Sequence, residues 1–275
     1  MKKTVLITGC SSGIGKSTAI QFYEKGWNVI ATMRRPENES YLNTLDNVLV
    51  IALDVQNQES IDEAIAAGLN KFGKIDAIVN NAGYTVFGPF ELTTDEQVAR
   101  IFDTNFFGPM RVIRSILPLF REQKSGVIIN VTSAGGRITY PITSIYHATK
   151  FALEGFTETL AYELIPFGIQ TKIVEPGSTA TKFVGSAEIT TGDNPIYDEF
   201  IKNGLKNWEK HDTLTSSPET IADKIFTAAT DDNYILRYPV GADTEFYLAI
   251  RQSIDDQSYV DFMRNRFIPE YLNNK

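Results

Sequence analysis

The chain has one cysteine, Cys10, and two histidines, His147 and His211. A lone thiol excludes an internal disulfide and suits a reducing cytosol. Cys10 as a nucleophile would need a base beside it, so the preferred reading is a small residue filling a tight loop. No His, Cys or Asp cluster has ligand spacing, so no metal is expected. Cations are scarce as well: 26 Lys and Arg stand against 34 Asp and Glu, a net charge of -8, with no basic block. That argues against nucleic acid, which is held by clustered cations on phosphates. Long apolar runs are also missing. No stretch reaches the ~18 residues a spanning helix requires, so no membrane partner is expected. Lys2 and Lys3 before "TVLIT" faintly resemble a signal peptide, but Gly9 to Gly13 follow too soon. The expectation is a soluble cytoplasmic protein.

Short β-branched runs alternate with stretches of helical period. "TVLIT", "NVIAT", "NVLVIAL", "IDAIVN", "GVIINVTS" and "IQTKIVEP" read as strands. Helices are predicted at Gly13 to Lys25, Asn57 to Phe72, about Thr94 to Phe120, and Tyr146 to Leu164. In the second, Ile61, Ala64, Ile65, Leu69 and Phe72 share one face, and Asn57 is a candidate N-cap. Near-continuous apolar strands imply burial on both faces, hence an α/β protein with a doubly wound parallel sheet. No linker or repeat interrupts the alternation, so residues 1–275 are expected to form one domain. Residues 183–218 break the rhythm, being polar and loop-like with interspersed aromatics, and are read as a lid over the cleft.

"ITGCSSGIGKST", Ile7 to Thr18, invites two readings. An ATP- or GTP-binding P-loop wants Gly, four residues, then Gly-Lys-Ser or Gly-Lys-Thr. Counting back from Gly15-Lys16-Ser17, the first glycine would fall at Cys10, and Gly9 lies one residue too early. One extra residue displaces the N–H groups that cradle the phosphates. The strict dinucleotide pattern also fails, since the glycines run Gly9-x-x-x-Gly13-x-Gly15. They still supply a tight turn and a helix N-terminus facing a pyrophosphate.

"TGCSSGIG" is the first of six motifs that occur in a known order. "NNAG" follows at Asn80 to Gly83, then Asn105 in "DTNFFG", Ser133, "YHATK" with Tyr146 and Lys150, and "EPG" at Glu175 to Gly177. Thr181 stands four residues after that glycine. The set closely resembles the classical short-chain dehydrogenase/reductase family from about Lys3 to Thr181, and the "ATMRR" and "GGR" stretches look like its steroid and retinol branch. The resemblance implies a Rossmann fold and hydride transfer between a nicotinamide and a carbonyl or secondary alcohol.

The family would make Tyr146 the general acid and base, with Ser133 orienting the substrate oxygen. Lys150 would depress the phenol and hold the ribose, and Asn105 would anchor a water leading to it. Tyr146 and Lys150 are four apart on a helical stretch, so they share a face. A phenol near ~10 needs such a cation to approach neutrality. His147 is expected to pack or face solvent. The implied cofactor contacts are Gly9, Ser11, Ser12, Gly13, Ile14 and Gly15, then Arg34, Asp54 and Val55. Asn81, Ala82, Gly83, Tyr146, Lys150, Pro176, Gly177, Thr179 and Thr181 complete the set, with Asn80 supporting the central strand and lining the cleft. At the end of the second strand Met33 replaces the acid that would select NAD, and Arg34 and Arg35 follow. A guanidinium pairs with a 2′-phosphate, so NADP is expected, with NAD the second choice.

The substrate pocket is expected to be apolar or aromatic, from Tyr84, Val86, Phe87, Ile138, Tyr140, Phe183, Tyr197, Phe200 and Trp208. Two other readings stand beside the oxidoreductase: a non-catalytic NADP-sensing protein and a P-loop nucleotide-binding protein. A homodimer or homotetramer is the family's usual assembly.

Overall fold

The computed structural model describes residues 2–181, 183, 187–190, 194–211 and 214–269. Its main sheet is seven-stranded and parallel throughout. The strands are β1 (Thr4–Ile7), β2 (Asn28–Met33), β3 (Val48–Ala52), β4 (Ala77–Asn80), β6 (Gly126–Val131), β7 (Ile169–Pro176) and β9 (Arg237–Val240). They lie in the order β3-β2-β1-β4-β6-β7-β9. A separate short pair joins β5 (Val86–Phe87) to β8 (Glu188–Ile189). The strand order reverses between β1 and β4, which opens a crevice beyond their carboxyl ends.

The strands are apolar throughout because both faces are covered. Val5 and Ile7 pack with Phe22 of α1 (Gly13–Glu24) and Ile225 of α7 (Pro218–Thr230). Leu6 between them packs on the other face with Ile61 of α2 (Gln58–Phe72) and Ile116 of α4 (Gly108–Gln123). The predicted cap is present: the Asn57 side chain accepts from Ser60 N at 3.1 Å.

The long helix expected from Thr94 to Phe120 is instead broken. A capping box of Thr94 and Gln97 starts α3 (Asp95–Phe102), a π turn spans Asp103–Phe107, and α4 follows. Pro109 explains the break, because it has no N–H for the Asn105 carbonyl and its ring crowds that oxygen. The wider turn carries Asn105 into the interior, where it is 1% exposed.

The reading of 183–218 as loop-like is corrected by β8 and by α6 (Asp198–His211). Ile201, Leu205 and Trp208 are spaced four and three apart, a helical signal that the polar composition hid. After β9, α8 (Ala242–Ser253) and α9 (Asp256–Phe267) close one end of the cleft with a cluster including Ile138, Tyr247, Met263 and Phe267. Among the described residues no helix is long and apolar enough to cross a membrane. Nor is there a group of His, Cys, Asp and Glu that could hold a metal ion.

Candidate active site

A cleft of about 710 Å³ lies along the carboxyl ends of the strands. The glycine loop forms one wall. Gly9 has φ +77°, a left-handed backbone that favours glycine, and its hydrogen side abuts Ala82 of the next loop. Thr8 ties those loops together, its hydroxyl accepting from the N–H groups of Asn81 and Ala82 at 3.0 Å. Ser12 is the N-cap of α1 without a side-chain cap bond, and no acid occupies the first turn. The opening of α1, lined by Ser12, Gly13, Ile14 and Gly15, therefore presents uncapped N–H groups to the cleft. That arrangement fits an anionic pyrophosphate.

Lys16 and Ser17 are turned elsewhere. Lys16 Nζ grips the Glu39 carboxylate at 3.0 and 3.1 Å, and Ser17 Oγ donates to Glu219 at 3.0 Å. The side chains that a P-loop would need are thus committed to ion pairing and helix packing. Burial drives the Cys10 thiol up to about 12, and its Sγ donates to Ile7 O at 3.3 Å, so it is an inert filler.

At the far end Met33, Arg34, Asp54 and Val55 line the cleft. Arg35 does not, and serves as the N-cap residue of the short turn Pro36–Asn38. The Asp54 carboxylate accepts from Gln56 N at 3.0 Å, and the cap of α2 is Asn57. Asn80 is corrected as a cleft residue. It is 3% exposed and donates through Nδ2 to Asn130 Oδ1 at 2.8 Å, within the sheet. Asn81, Ala82 and Gly83 are the lining residues of that motif.

Across the cleft, Tyr146 and Lys150 share a face of α5 (Ser144–Leu164) opposite Ser133. Ser133 ends the strand region and its Oγ accepts from Gly135 N at 3.0 Å. Tyr146 keeps some exposure to the cleft while its hydroxyl end is enclosed. Burial pushes this phenol up to about 12, partly offset by a hydrogen bond with Ser133. Burial, not the Lys150 ammonium, sets the direction of that shift. The Lys150 Nζ lies 5.8 Å from the Tyr146 ring centroid and donates instead to Val131 O at 3.1 Å. Burial brings Lys150 down to about 8, against the opposing charge of Glu154.

Asn105 stands behind the cleft wall. It accepts from Tyr84 N at 3.0 Å and donates to Tyr84 O at 2.8 Å and Thr149 Oγ1 at 3.2 Å. His147 is buried and packs: Nε2 accepts from Tyr140 N at 2.8 Å, so Nδ1 carries the hydrogen toward Gly135 O at 2.7 Å. Pro176, Gly177, Thr179 and Thr181 complete this end.

Tyr84, Phe87, Tyr140 and Phe183 line the cleft, Phe183 edge-on to Tyr146 with centroids 6.1 Å apart. Ile138 does not. It is 1% exposed and packed into the cluster beneath, because the turn Ala134–Gly136 draws it inward. Val86 is likewise buried, Tyr197 hydrogen-bonds Glu91 at 2.5 Å, and neither they nor Phe200 line the cleft. The Trp208 side chain lies outside the described residues. Ile142, Asp243, Tyr247 and Phe267 do line it and were missed. Three belong to α8 and α9, where the motif-bearing part of the chain has ended, and no local signal marks them.

A family model described as short chain dehydrogenase matches residues 3–191. An uncharacterised oxidoreductase of Schizosaccharomyces pombe is 43% identical over 232 residues, covering 83% of this chain and 96% of its own. A 3-ketodihydrosphingosine reductase of Bacteroides thetaiotaomicron is 36% identical over 239 residues, covering 86% and 87%. Among solved structures, a short-chain dehydrogenase from Streptomyces avermitilis superposes with TM-score 0.83 at 34% identity, covering 98% of each chain. A Brucella melitensis 3-ketoacyl-(acyl-carrier-protein) reductase complexed with NADH has TM-score 0.75 at 26% identity, covering 87% and 96%. ElxO with NADP bound has TM-score 0.73 at 27% identity, covering 87% and 98%.

Proposed function

This chain belongs to the short-chain dehydrogenase/reductase family, and on that premise we propose an NADP-preferring enzyme that uses Tyr146 as acid and base on an apolar carbonyl or alcohol. It is an oxidoreductase of small-molecule alcohols and carbonyls and requires a nicotinamide cofactor. The observation that carries the finer reading is the convergence of Tyr146, Lys150 and Ser133 on one cleft wall, with the glycine loop and Arg34 on the other.

The opening of α1 would hold the pyrophosphate, Asp54 and Val55 the adenine, and Arg34 the 2′-phosphate. Lys150 would hold the nicotinamide ribose, and the Pro176 to Thr181 segment the amide. The cofactor, when bound, gives or takes the hydride. Everything else is done by the chain. Ser133 orients the substrate oxygen toward the phenol. At neutral pH Tyr146 keeps its proton, the form that donates to a carbonyl oxygen. Lys150, near 8, exchanges a proton close to neutrality and can restore it. Asn105 holds the Tyr84 backbone and Thr149, fixing the floor on which a water would sit.

Phe87, Tyr140, Ile142, Tyr247 and Phe267 support an apolar substrate, in keeping with the steroid- and retinol-like branch. The reductase named for 3-ketodihydrosphingosine supports a ketone as the reactant. Residues 183–218, with α6, would act as the lid.

Titrating the protein with NADPH and NADH by fluorescence tests cofactor choice. NADPH is expected to bind tighter, and Arg34→Ala to weaken it by about tenfold to a hundredfold, leaving NADH unchanged. Equal affinity for the two in the unsubstituted protein would sink the NADP assignment. A screen of ketones, aldehydes and quinones, followed by NADPH absorbance, then identifies the carbonyl class.

A further inference from the structure

Behind the Tyr146–Lys150 face lies a buried charge cluster that the proposed reaction leaves unused. Glu154 sits one turn past Lys150 on α5, and Glu175 stands on β7 just before Pro176. Both carboxylates converge on one N–H: Arg237 Nε lies 3.1 Å from Glu154 Oε2 and 3.5 Å from Glu175 Oε1. Arg137 Nη1, from the loop after Ser133, is 3.6 Å from the same Glu175 oxygen. Arg237 Nη2 also holds Glu158 at 2.6 Å, and Thr132 donates to Glu154 Oε1 at 2.6 Å. Glu175 is 0% exposed, and neither of its oxygens has a hydrogen bond among the described residues. Its two cations stand beyond good hydrogen-bond reach.

Two carboxylates sharing one N–H in a dry interior resist double ionisation. Burial and the neighbouring charge of Glu154 push Glu175 up to about 7, against the pull of Arg137 and Arg237. Burial also raises Glu154, against Thr132 and Arg237. Glu154 in turn supports the charge of Lys150, whose Nζ is held by Val131 O, the residue before Thr132. The other groups facing Lys150 are Tyr146 on its own helix, Ser133 after β6, and Asn105 from the π turn near Gly83. Those around Glu175 are Glu154 and Glu158 from α5, Arg137 from the loop and Arg237 from β9. Asp243 of α8 lies beyond, against Gly177.

We propose that Glu154 and Glu175, brought together on Arg237 Nε, ionise as a coupled pair and act as positioning residues whose charge governs how firmly Lys150 holds its own. The proposal rests on the reading of Tyr146 and Lys150 as the acid–base pair. As pH falls through neutrality the pair takes up a proton, Lys150 loses counter-charge, and its ammonium becomes easier to deprotonate. The lysine then titrates over a broader range than an isolated group would.

The test follows Lys150 in the full chain by NMR of ¹³Cε-labelled lysine, its signal assigned by its loss in Lys150→Met. Glu154→Gln should move the Lys150 midpoint down by about one pH unit. Glu175→Gln should move it up, because Glu154 then ionises without a competing carboxylate. The pH midpoint of NADPH-dependent 9,10-phenanthrenequinone reduction should follow the same opposite shifts. A midpoint unmoved in both variants, or moved the same way in both, overturns the proposal. If either variant fails to fold, the wild-type ¹³Cδ-glutamate spectrum decides. Two coupled carboxyls titrating between about pH 5 and 8 uphold the pair, and glutamates ionised throughout that range refute it. Failure of the underlying reading looks different: Tyr146→Phe would keep its turnover while the Lys150 midpoint still answered to Glu154.

Discussion

Tyr146→Phe is expected to lower turnover of a carbonyl probe by about 10²–10⁴-fold, the usual share of general acid–base catalysis. The phenol hydrogen-bonds Ser133, and the substitution removes that one oxygen without changing the ring. Its edge contacts with His147 and Phe183, at 5.9 and 6.1 Å between centroids, survive. NADPH affinity and thermal stability should therefore stay close to those of the parent. Steady-state rates beside a fluorescence titration separate the two effects. Turnover within a few-fold of the parent would remove Tyr146 from the chemistry, because His147 has both ring nitrogens committed to Gly135 and Tyr140. A parallel loss of nucleotide binding would instead point to a collapsed cleft.

Gly15→Ala should be nearly as damaging for an unrelated reason. A Cβ at this position would run into the Gly9 carbonyl oxygen and lie 2.5 Å from Asn81 Nδ2. Both are fixed parts of the loop, since Asn81 Nδ2 also donates to Thr8 O at 2.9 Å. The added methyl can be housed only by pushing α1 away from β1 and β4, at about 1–3 kcal/mol for an overpacked core. The uncapped N–H groups of α1 would shift with it, so NADPH binding should weaken by about tenfold or more. Gly155→Ala is the control. Gly155 lies within α5 with nothing within 4 Å of its would-be Cβ, so that variant should gain about 0.5–1 kcal/mol. Thermal melts of both variants check the contrast, and a stable Gly15→Ala that binds NADPH normally would contradict it.

Some positions could be read without any structure because their constraint is local. The one-residue offset between Gly9 and the P-loop pattern is enough to exclude a triphosphate cradle, and the structure shows Lys16 spent on Glu39. The Asn57 cap and the doubly buried strands follow from side-chain size and period alone. Reading Thr94 to Phe120 as one helix missed what Pro109 does to its ladder, since the apolar spacing on each side of a one-turn break still reads as helical. Ile138 was misplaced because a loop residue's direction depends on the turn before it.

The fold class, the family and the motif residues that line the cleft could be read from the sequence alone, all carried by spacing within short segments. What tertiary structure decided is the electrical state of those residues and the far wall of the pocket. Lys150 was expected to charge the phenol. Burial pushes the Tyr146 phenol up to about 12, the Lys150 ammonium down to about 8 and the Glu175 carboxyl up to about 7. Desolvation depends on everything packed around a group, and Glu154, Glu175, Arg137 and Arg237 come from segments far apart in the chain. Tyr247 and Phe267 reach the cleft only because α8 and α9 fold back over it.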